Sequence, residues 1–353
     1  MTATPARLAG RWPRAVLPSR PPSRESRLRA CVCIPTRNRA DLLRLTLESL
    51  NRQSVDRDRL QVVVGDDGST DATLSMLQAF AAGFELRWTG SSGRGSGAAR
   101  NAAARAATHE VLIFLDDDQI ASPDLVAAHL EAHERFGVVM VQGDYPLARD
   151  CHRGGASLVY EQARVNWMTS THGTDYRHLW GANFSVRRTT WAEVGGFDED
   201  LPRNQDQDFG LRVTDLGVPF ISSPQALSHH LHRVSIAGLR RQSFEMGRCM
   251  VRISRKRRVP VAVLLASPID RPLDRPLDRL VRRFWRWSPR CSAALGWAVG
   301  GLLWAADRLR LRPAQVVSAR LLRRFHFLGG IAVESLYPGS TPKDADSVPS
   351  NVA

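Results

Sequence analysis

The stretch Glu110-Val-Leu-Ile-Phe-Leu-Asp-Asp-Asp118, EVLIFLDDD, is a continuous apolar run that ends in three carboxylates. A short run that is apolar at both alternations predicts a strand buried on both faces, and such strands belong to parallel sheets covered by helices. Upstream, ACVCIP (30–35), LQVVVG (60–65) and FELRW (84–88) are further strand candidates. Between the runs lie ADLLRLTLESLNR (40–52), DATLSMLQAF (71–80) and SGAARNAAARAA (96–107), whose apolar or small residues recur at helical spacing. Apolar runs alternating with amphipathic helices predict βαβ units and an α/β fold. In such sheets ligands gather beyond the carboxyl ends of the strands, so the polar residues after each strand are expected to be functional.

Those residues are Pro35-Thr36-Arg37-Asn38-Arg39, Asp66-Asp67-Gly68-Ser69-Thr70-Asp71 and Asp116-Asp117-Asp118. The second group is, by itself, sound turn and N-cap chemistry. The third is harder to explain structurally, because like charges at a buried sheet edge repel and lose hydration unless a cation compensates. Hard oxygen donors suit Mg²⁺ or Mn²⁺, with a diphosphate as the natural co-ligand. If the strand continues through the triad, Asp116 and Asp118 share one side and Asp117 takes the other.

The 353 residues are 43% hydrophobic and 24% charged, a globular composition that excludes a disordered or collagen-like chain. Five cysteines without a CxxC pair support neither a disulfide framework nor a Cys-rich zinc site. The net charge of +14 is segregated. Residues 30–232 are net acidic, whereas residues 1–29 carry seven Arg against one Glu, and 233–330 carry 22 basic against five acidic residues. The first 29 residues lack an apolar core and read as a disordered basic arm, not a secretory signal.

In this order, PTRNRADLLRLTLESL, VVVGDDGSTDAT, GAARNAAARAA, VLIFLDDDQIASPDLV, GANFSVRRTTWAEVGGFDED and QDQDFGLRV resemble a family 2 glycosyltransferase of the GT-A fold, over residues 30–232. The resemblance implies a Rossmann-like, mostly parallel sheet flanked by helices. It also implies a metal-dependent, inverting transfer from a nucleotide-diphosphate sugar, most often a UDP sugar, to a glycan or polyprenyl-lipid-linked acceptor. Thr36, Arg39, Arg100, Asn101, Asp116 and Asp117 are then expected around the nucleotide, with Asp66 or Asp67 accepting a base N3–H. Asp118, with Asp116 and one of His229 and His230, would hold Mg²⁺ or Mn²⁺, Asp118 being the preferred direct ligand. Asp206 would be the acceptor's base, although Gln205 stands where many relatives have an acid, and a helix-capping role for Asp206 stays open. Trp180, Gly181, Asn183 and Asp208 would border the sugar or acceptor, Trp180 either stacking on a sugar or packing in the core, and Asp198 is a weaker candidate. A sugar-1-phosphate nucleotidyltransferase would need a Gly-rich loop where PTRNRADLL stands.

The remaining segments predict a basic and apolar helical appendage over 233–336 and a disordered tail over 337–353. Within the appendage, CSAALGWAVGGLLWAA (291–306) has 16 uncharged residues bordered by Trp285, Trp287 and Arg residues. That is short of the roughly 20 residues a membrane span needs, and Trp with Arg at the ends suits a lipid interface. A short span or a soluble helix stays open. The expected location is cytoplasmic, peripheral on an anionic membrane surface, with no nucleic-acid partner. The alternative is a catalytically weak scaffold of this fold or an Arg-rich polyanion binder.

Overall fold

A computed structural model describes residues 28–91, 93–151, 154–170, 179–265 and 276–338. The predicted alternation is present: β1 (Ala30–Thr36), α1 (Ala40–Leu50), β2 (Leu60–Asp66), α2 (Thr73–Ala79), β3 (Glu85–Gly90), α3 (Ser96–Ala106) and β4 (Val111–Leu115). Next come β5 (Gln119–Ala121), α4 (Leu125–Phe136), β6 (Met140–Asp144), α5 (Gly155–Ser170), β7 (Asn183–Arg187), α6 (Arg188–Glu193), α7 (Gln205–Asp215) and β8 (Phe220–His230). The described strands form one sheet in the order β3-β2-β1-β4-β7-β6-β8-β5. β3, β2, β1 and β4 run parallel, as do β6 and β8, while β7 and β5 are antiparallel to their neighbours. Every residue of β1, β2 and β4 is buried, as expected for strands covered on both faces.

One face packs Val32, Ile34, Val62, Val64, Ile113 and Leu115 against Leu43, Leu47 and Leu77 of α1 and α2. The other packs Cys33, Val63, Leu112 and Phe114 against α3 and a cluster of Phe184, Phe197 and Phe209. All five cysteines are free.

The appendage is helical: α8 (Ile236–Arg257), α9 (Val261–Leu264), α10 (Pro276–Trp287), α11 (Pro289–Arg308) and α12 (Arg312–Leu336). α12 is central to it, packing on α8, α10, α11 and α5. Two expectations change here. Much of the segment's positive charge is spent internally: Arg248 and Arg252 meet the buried Glu334, Arg257 meets Asp208 and Asp198, and Arg324 meets Asp278. Trp285 is buried against Gly329, Phe244 and Phe325 and borders no lipid, whereas Trp287 is 79% exposed. Within the local tandem RPLDRPLDR (271–279), the final Pro276–Arg279 opens α10; residues 1–27 and 339–353 lie outside the described residues.

Beneath β7 runs a buried polar chain that the sequence did not announce. Asn183 Oδ1 is an acceptor, so His129 donates to it from Nε2 (2.9 Å), leaving His129 Nδ1 to accept from Ser185 Oγ (2.9 Å). His133 Nε2 then donates to the same hydroxyl (2.9 Å). Burial keeps both rings neutral, pushing His129 down to about 4 and His133, helped by Arg187, down to about 3. Depressed imidazoles contribute stability that is complete above about pH 6.5 and lost as pH falls toward those values. Between pH 7 and pH 5 the pair should remove about 4 kcal/mol of unfolding free energy, measured by urea titration. His133→Asn should lessen that pH-dependent loss by about half.

Candidate active site

The sheet delivers three loops to one edge. After β1, Asn38 adopts a left-handed conformation (φ 52°) and its side-chain oxygen accepts from the Thr70 N–H at 2.7 Å, tying the first loop to the second. Asp66, only 5% exposed, turns back to accept from the Ser69 N–H (3.0 Å), while Asp67 accepts from Ser91 Oγ (2.6 Å) and the Gly95 N–H (2.9 Å). Of the two, Asp67 is the one with an arginine beside it, Arg37 at 3.6 Å.

β4 stops at Leu115, so the alternation assumed for the aspartates does not apply. Asp116 alone turns toward α3, where Arg100 Nη2 donates to its Oδ1 at 2.6 Å. Asp117 and Asp118 are buried side by side and share Arg39, whose Nη1 lies 2.6 Å from Asp117 Oδ1 and whose Nη2 lies 2.8 Å from Asp118 Oδ2. Thr36 Oγ1 adds a donor to Asp117 at 2.8 Å. Burial still pushes the Asp117 carboxyl up to about 7 against the pull of Arg39. Burial works the same way on Asp118, but His230 and His232 outweigh it and hold that carboxyl well below its usual range. Asp117 is therefore an inner brace, and not the nucleotide contact expected.

His230 Nε2 lies 3.0 Å from Asp118 Oδ1, and His232 Nδ1 lies 3.9 Å from Oδ2. Burial alone would depress the His230 ring; Asp118 beside it raises its pKa overall. His229, the neighbour on the strand, is exposed and outside this cluster, because successive strand residues point to opposite faces. Asp116 is also outside it, being held by Arg100. His232, which the sequence reading missed, completes a group of one carboxylate and two imidazoles whose ligand atoms lie within 4.8 Å of one another. Asp118 Oδ1 is buried without a well-aligned hydrogen-bond donor among the described residues. A buried carboxylate with one such oxygen and two imidazoles beside it fits a divalent cation, and the nitrogen donors favour Mn²⁺ over Mg²⁺.

Next to this cluster a cavity of about 300 Å³ is lined by Arg100, Asp116, Trp180, Gly181, Asp206 and His230, among others. Asp206 lies in the first turn of α7, accepting from the Gly181 N–H (2.7 Å) at Oδ2 and the Gln207 N–H (2.9 Å) at Oδ1. Burial raises its pKa despite these donors and Arg100. A methyl at Gly181 would sit 3.3 Å from Arg100 Nη2 and 3.4 Å from Asp206 Oδ2, so glycine lets the two walls close on each other. Gln142 of β6 places Trp180 by accepting its N–H at 3.0 Å, and the Trp180 ring lies 6.0 Å from that of Tyr145 in the same cavity.

Asn101, expected by the nucleotide, and Asn183 and Asp208, expected in the pocket, each bond within the fold. Asn101 is buried and bonds the backbone of Phe197 and the Glu199 carboxylate. Asn183 is fully buried in the polar chain under β7. Asp208 is fully buried between Arg212 and Arg257, since residues two apart on a helix face different ways and only Asp206 turns to the cavity. Asp198 likewise pairs with Lys256 at 2.6 Å and with Arg257 at 3.3 Å.

Residues 31–189 match the family model described as glycosyl transferase family 2. The chain is 44% identical over 254 residues to the uncharacterized glycosyltransferase YfnE of Bacillus subtilis, covering 58% of this chain and 64% of that one. It is 28% identical over 225 residues to validoxylamine A glucosyltransferase of Streptomyces hygroscopicus subsp. jinggangensis, covering 55% and 53%. The chain thus spans about half to two thirds of the length of these curated relatives. Among solved structures, mannosyltransferase PcManGT from Pyrobaculum calidifontis in complex with GDP-Man and Mn²⁺ is similar over 90% of both chains, at 22% identity and a TM-score of 0.58. S. aureus TarS 1–349 in complex with UDP-GlcNAc is similar over 84% of this chain and 90% of that one, at 17% identity and a TM-score of 0.50. The fold is that of the GT-A glycosyltransferases.

Arg39 is the cation shared by two buried carboxylates, so Arg39→Gln should destabilise the protein by about 2 kcal/mol, the arginine being partly exposed. Added Mn²⁺ should restore part of the lost melting temperature, measured by thermal denaturation with and without the ion.

Proposed function

We propose that the chain, whose residues 31–189 match the model of glycosyl transferase family 2, is a member of that family and transfers a sugar from a nucleotide-diphosphate donor to an acceptor hydroxyl with inversion. The observation that carries this is Asp206, a partly buried carboxylate of raised pKa aimed into a cavity that also holds Arg100, Asp116 and His230. Inversion is a single displacement: the acceptor oxygen forms a bond to the anomeric carbon as the bond to the leaving diphosphate breaks. Asp206 takes the hydroxyl proton, and its raised pKa makes it a stronger base than an exposed carboxylate. Gly181 and Gln207, donating to its two oxygens, hold it in place.

On the donor side, Arg39 and Arg100 supply positive charge where the leaving group gains negative charge. Asp118, His230 and His232 would hold a divalent cation, and such an ion, when bound, screens a diphosphate leaving group. Asp67, beside Arg37, is the candidate for reading the base, and a UDP sugar is the first donor to test. Trp180 offers a ring for the sugar or the acceptor.

A cytoplasmic, peripheral location on an anionic membrane is proposed for the appendage. Among the described residues no helix is long and apolar enough to cross a membrane. α11 nevertheless presents Leu295, Trp297, Leu302 and Trp304 to solvent at 46–66% exposure, with Arg240 stacked 3.8 Å over Trp297 and Arg308 5.4 Å over Trp304. Tryptophan edged by arginine suits the headgroup region. A glycan or polyprenyl-linked acceptor would meet the enzyme there.

Asp206→Asn should lower the transfer rate by about 10²–10⁴-fold while leaving the donor dissociation constant nearly unchanged; full transfer by this variant would remove Asp206 from the role of base. Trp297→Ser with Trp304→Ser should weaken binding to anionic liposomes by about 10-fold in co-sedimentation, with nucleotide affinity intact.

A further inference from the structure

The cavity beside Asp206 has a second wall, contributed by the appendage and by the loop ahead of α7. Tyr160 of α5, Gln242 of α8, Arg323 of α12 and Arg203 line it. Tyr160 donates its hydroxyl proton to Gln242 Oε1 at 2.8 Å, and the Arg323 guanidinium lies 5.5 Å from the centre of the Tyr160 ring. Arg203 is close enough to act electrostatically on the same tyrosine. The neighbouring arginines are already matched: Arg100 by Asp116, Arg164 by Asp144 and Glu161, and Arg324 by Asp278. Arg203 and Arg323 have no carboxylate within ion-pair distance among the described residues.

Two guanidinium groups without a carboxylate partner among the described residues, both lining the cavity that Asp206 also lines, form a site for an anion. A guanidinium presents planar, paired N–H donors that match phosphate oxygens two at a time. In the proposed reading the donor's own charge is met elsewhere, by Arg39, Arg100 and the cluster of Asp118, His230 and His232. We infer that Arg203 and Arg323 bind a phosphate or phosphodiester carried by the acceptor, and so select an anionic acceptor over a neutral one. Tyr160 and Gln242 position Arg323. The inference rests on the assignment of Asp206 as the base that faces the acceptor, and it deepens that reading by giving the acceptor a chemical class.

Ligand-observed NMR titration of the full chain with glycerol 3-phosphate, and with glycerol as the neutral control, tests it in the presence and absence of saturating UDP and Mn²⁺. Glycerol 3-phosphate should bind at least about 10-fold more tightly than glycerol, because hydrogen bonds to charged groups are the stronger ones. Its binding should survive UDP. Arg203→Gln and Arg323→Gln should each weaken it by about 10-fold without changing UDP affinity, and Arg323→Lys should recover part of the loss. Neither arginine holds an ion pair among the described residues, and unchanged melting temperatures would show the variants intact. Equal binding of the two probes, no binding of glycerol 3-phosphate, its displacement by UDP, or unaltered binding in the double variant would each overturn the inference. Displacement by UDP would assign the two cations to the donor. Failure of UDP and other nucleoside diphosphates to bind would instead sink the donor reading, and leaves the phosphate titration to stand or fall separately.

Discussion

Two carboxylates buried side by side at the end of a strand are the constraint around which the catalytic half is arranged. Asp117 and Asp118 are 3% and 2% exposed, and both cannot stay ionised in that position unless a cation joins them. Arg39 does so with one nitrogen on each. The contact fixes the loop after β1 against the loop after β4, and thereby the edge of the sheet where the site lies. Because Arg39 covers only one oxygen of Asp118, the other is left facing His230, with His232 beside the carboxylate. The same geometry thus braces the fold and leaves one acceptor oxygen for a further cation.

The appendage follows similar electrostatics with a different result. Its many arginines read in sequence as a basic surface, yet those of α8 turn inward to Glu334, Asp198 and Asp208. They join the helical half to α7, the helix that carries Asp206. α8 and α12 approach closely at Gly247 and Gly330, where a methyl would lie 2.0 Å from the opposing carbonyl oxygens of Phe327 and Phe244. Substitution at either glycine would have to move the helices apart, and with them the Tyr160–Arg323 wall of the cavity. Exposed tryptophans lie elsewhere: Trp287 ends α10, and Trp297 and Trp304 stand on α11 with Arg240 of α8 and Arg308 over their rings.

Strand and helix identities in the first half were legible because a buried parallel strand needs an unbroken apolar run, and its partner helix needs a periodic one. β1, β2 and β4 appear where those runs stand. Asp118 stood out as one of three carboxylates after a buried apolar run, and Asp206 through its place in the motif the resemblance rests on. His232, Tyr160, Arg203 and Arg323 did not, since each lies in an ordinary polar context and gains meaning only from neighbours about 30 to 160 residues away in sequence. That Asn101, Asn183 and Asp208 bond within the fold was not legible, for one reason. A polar side chain next to a motif looks the same in sequence whether it faces the ligand or satisfies a buried partner.

By itself the sequence determined the α/β alternation, the acidic sheet edge and the class of chemistry that edge can support, because those depend on local pattern and residue type. Only the tertiary structure decided which carboxylate is neutralised by Arg39, which histidine reaches Asp118 and which arginines are left without a partner. Those are questions of pairing, and a charge on a chain has no pair until folding brings a second one within a few ångströms.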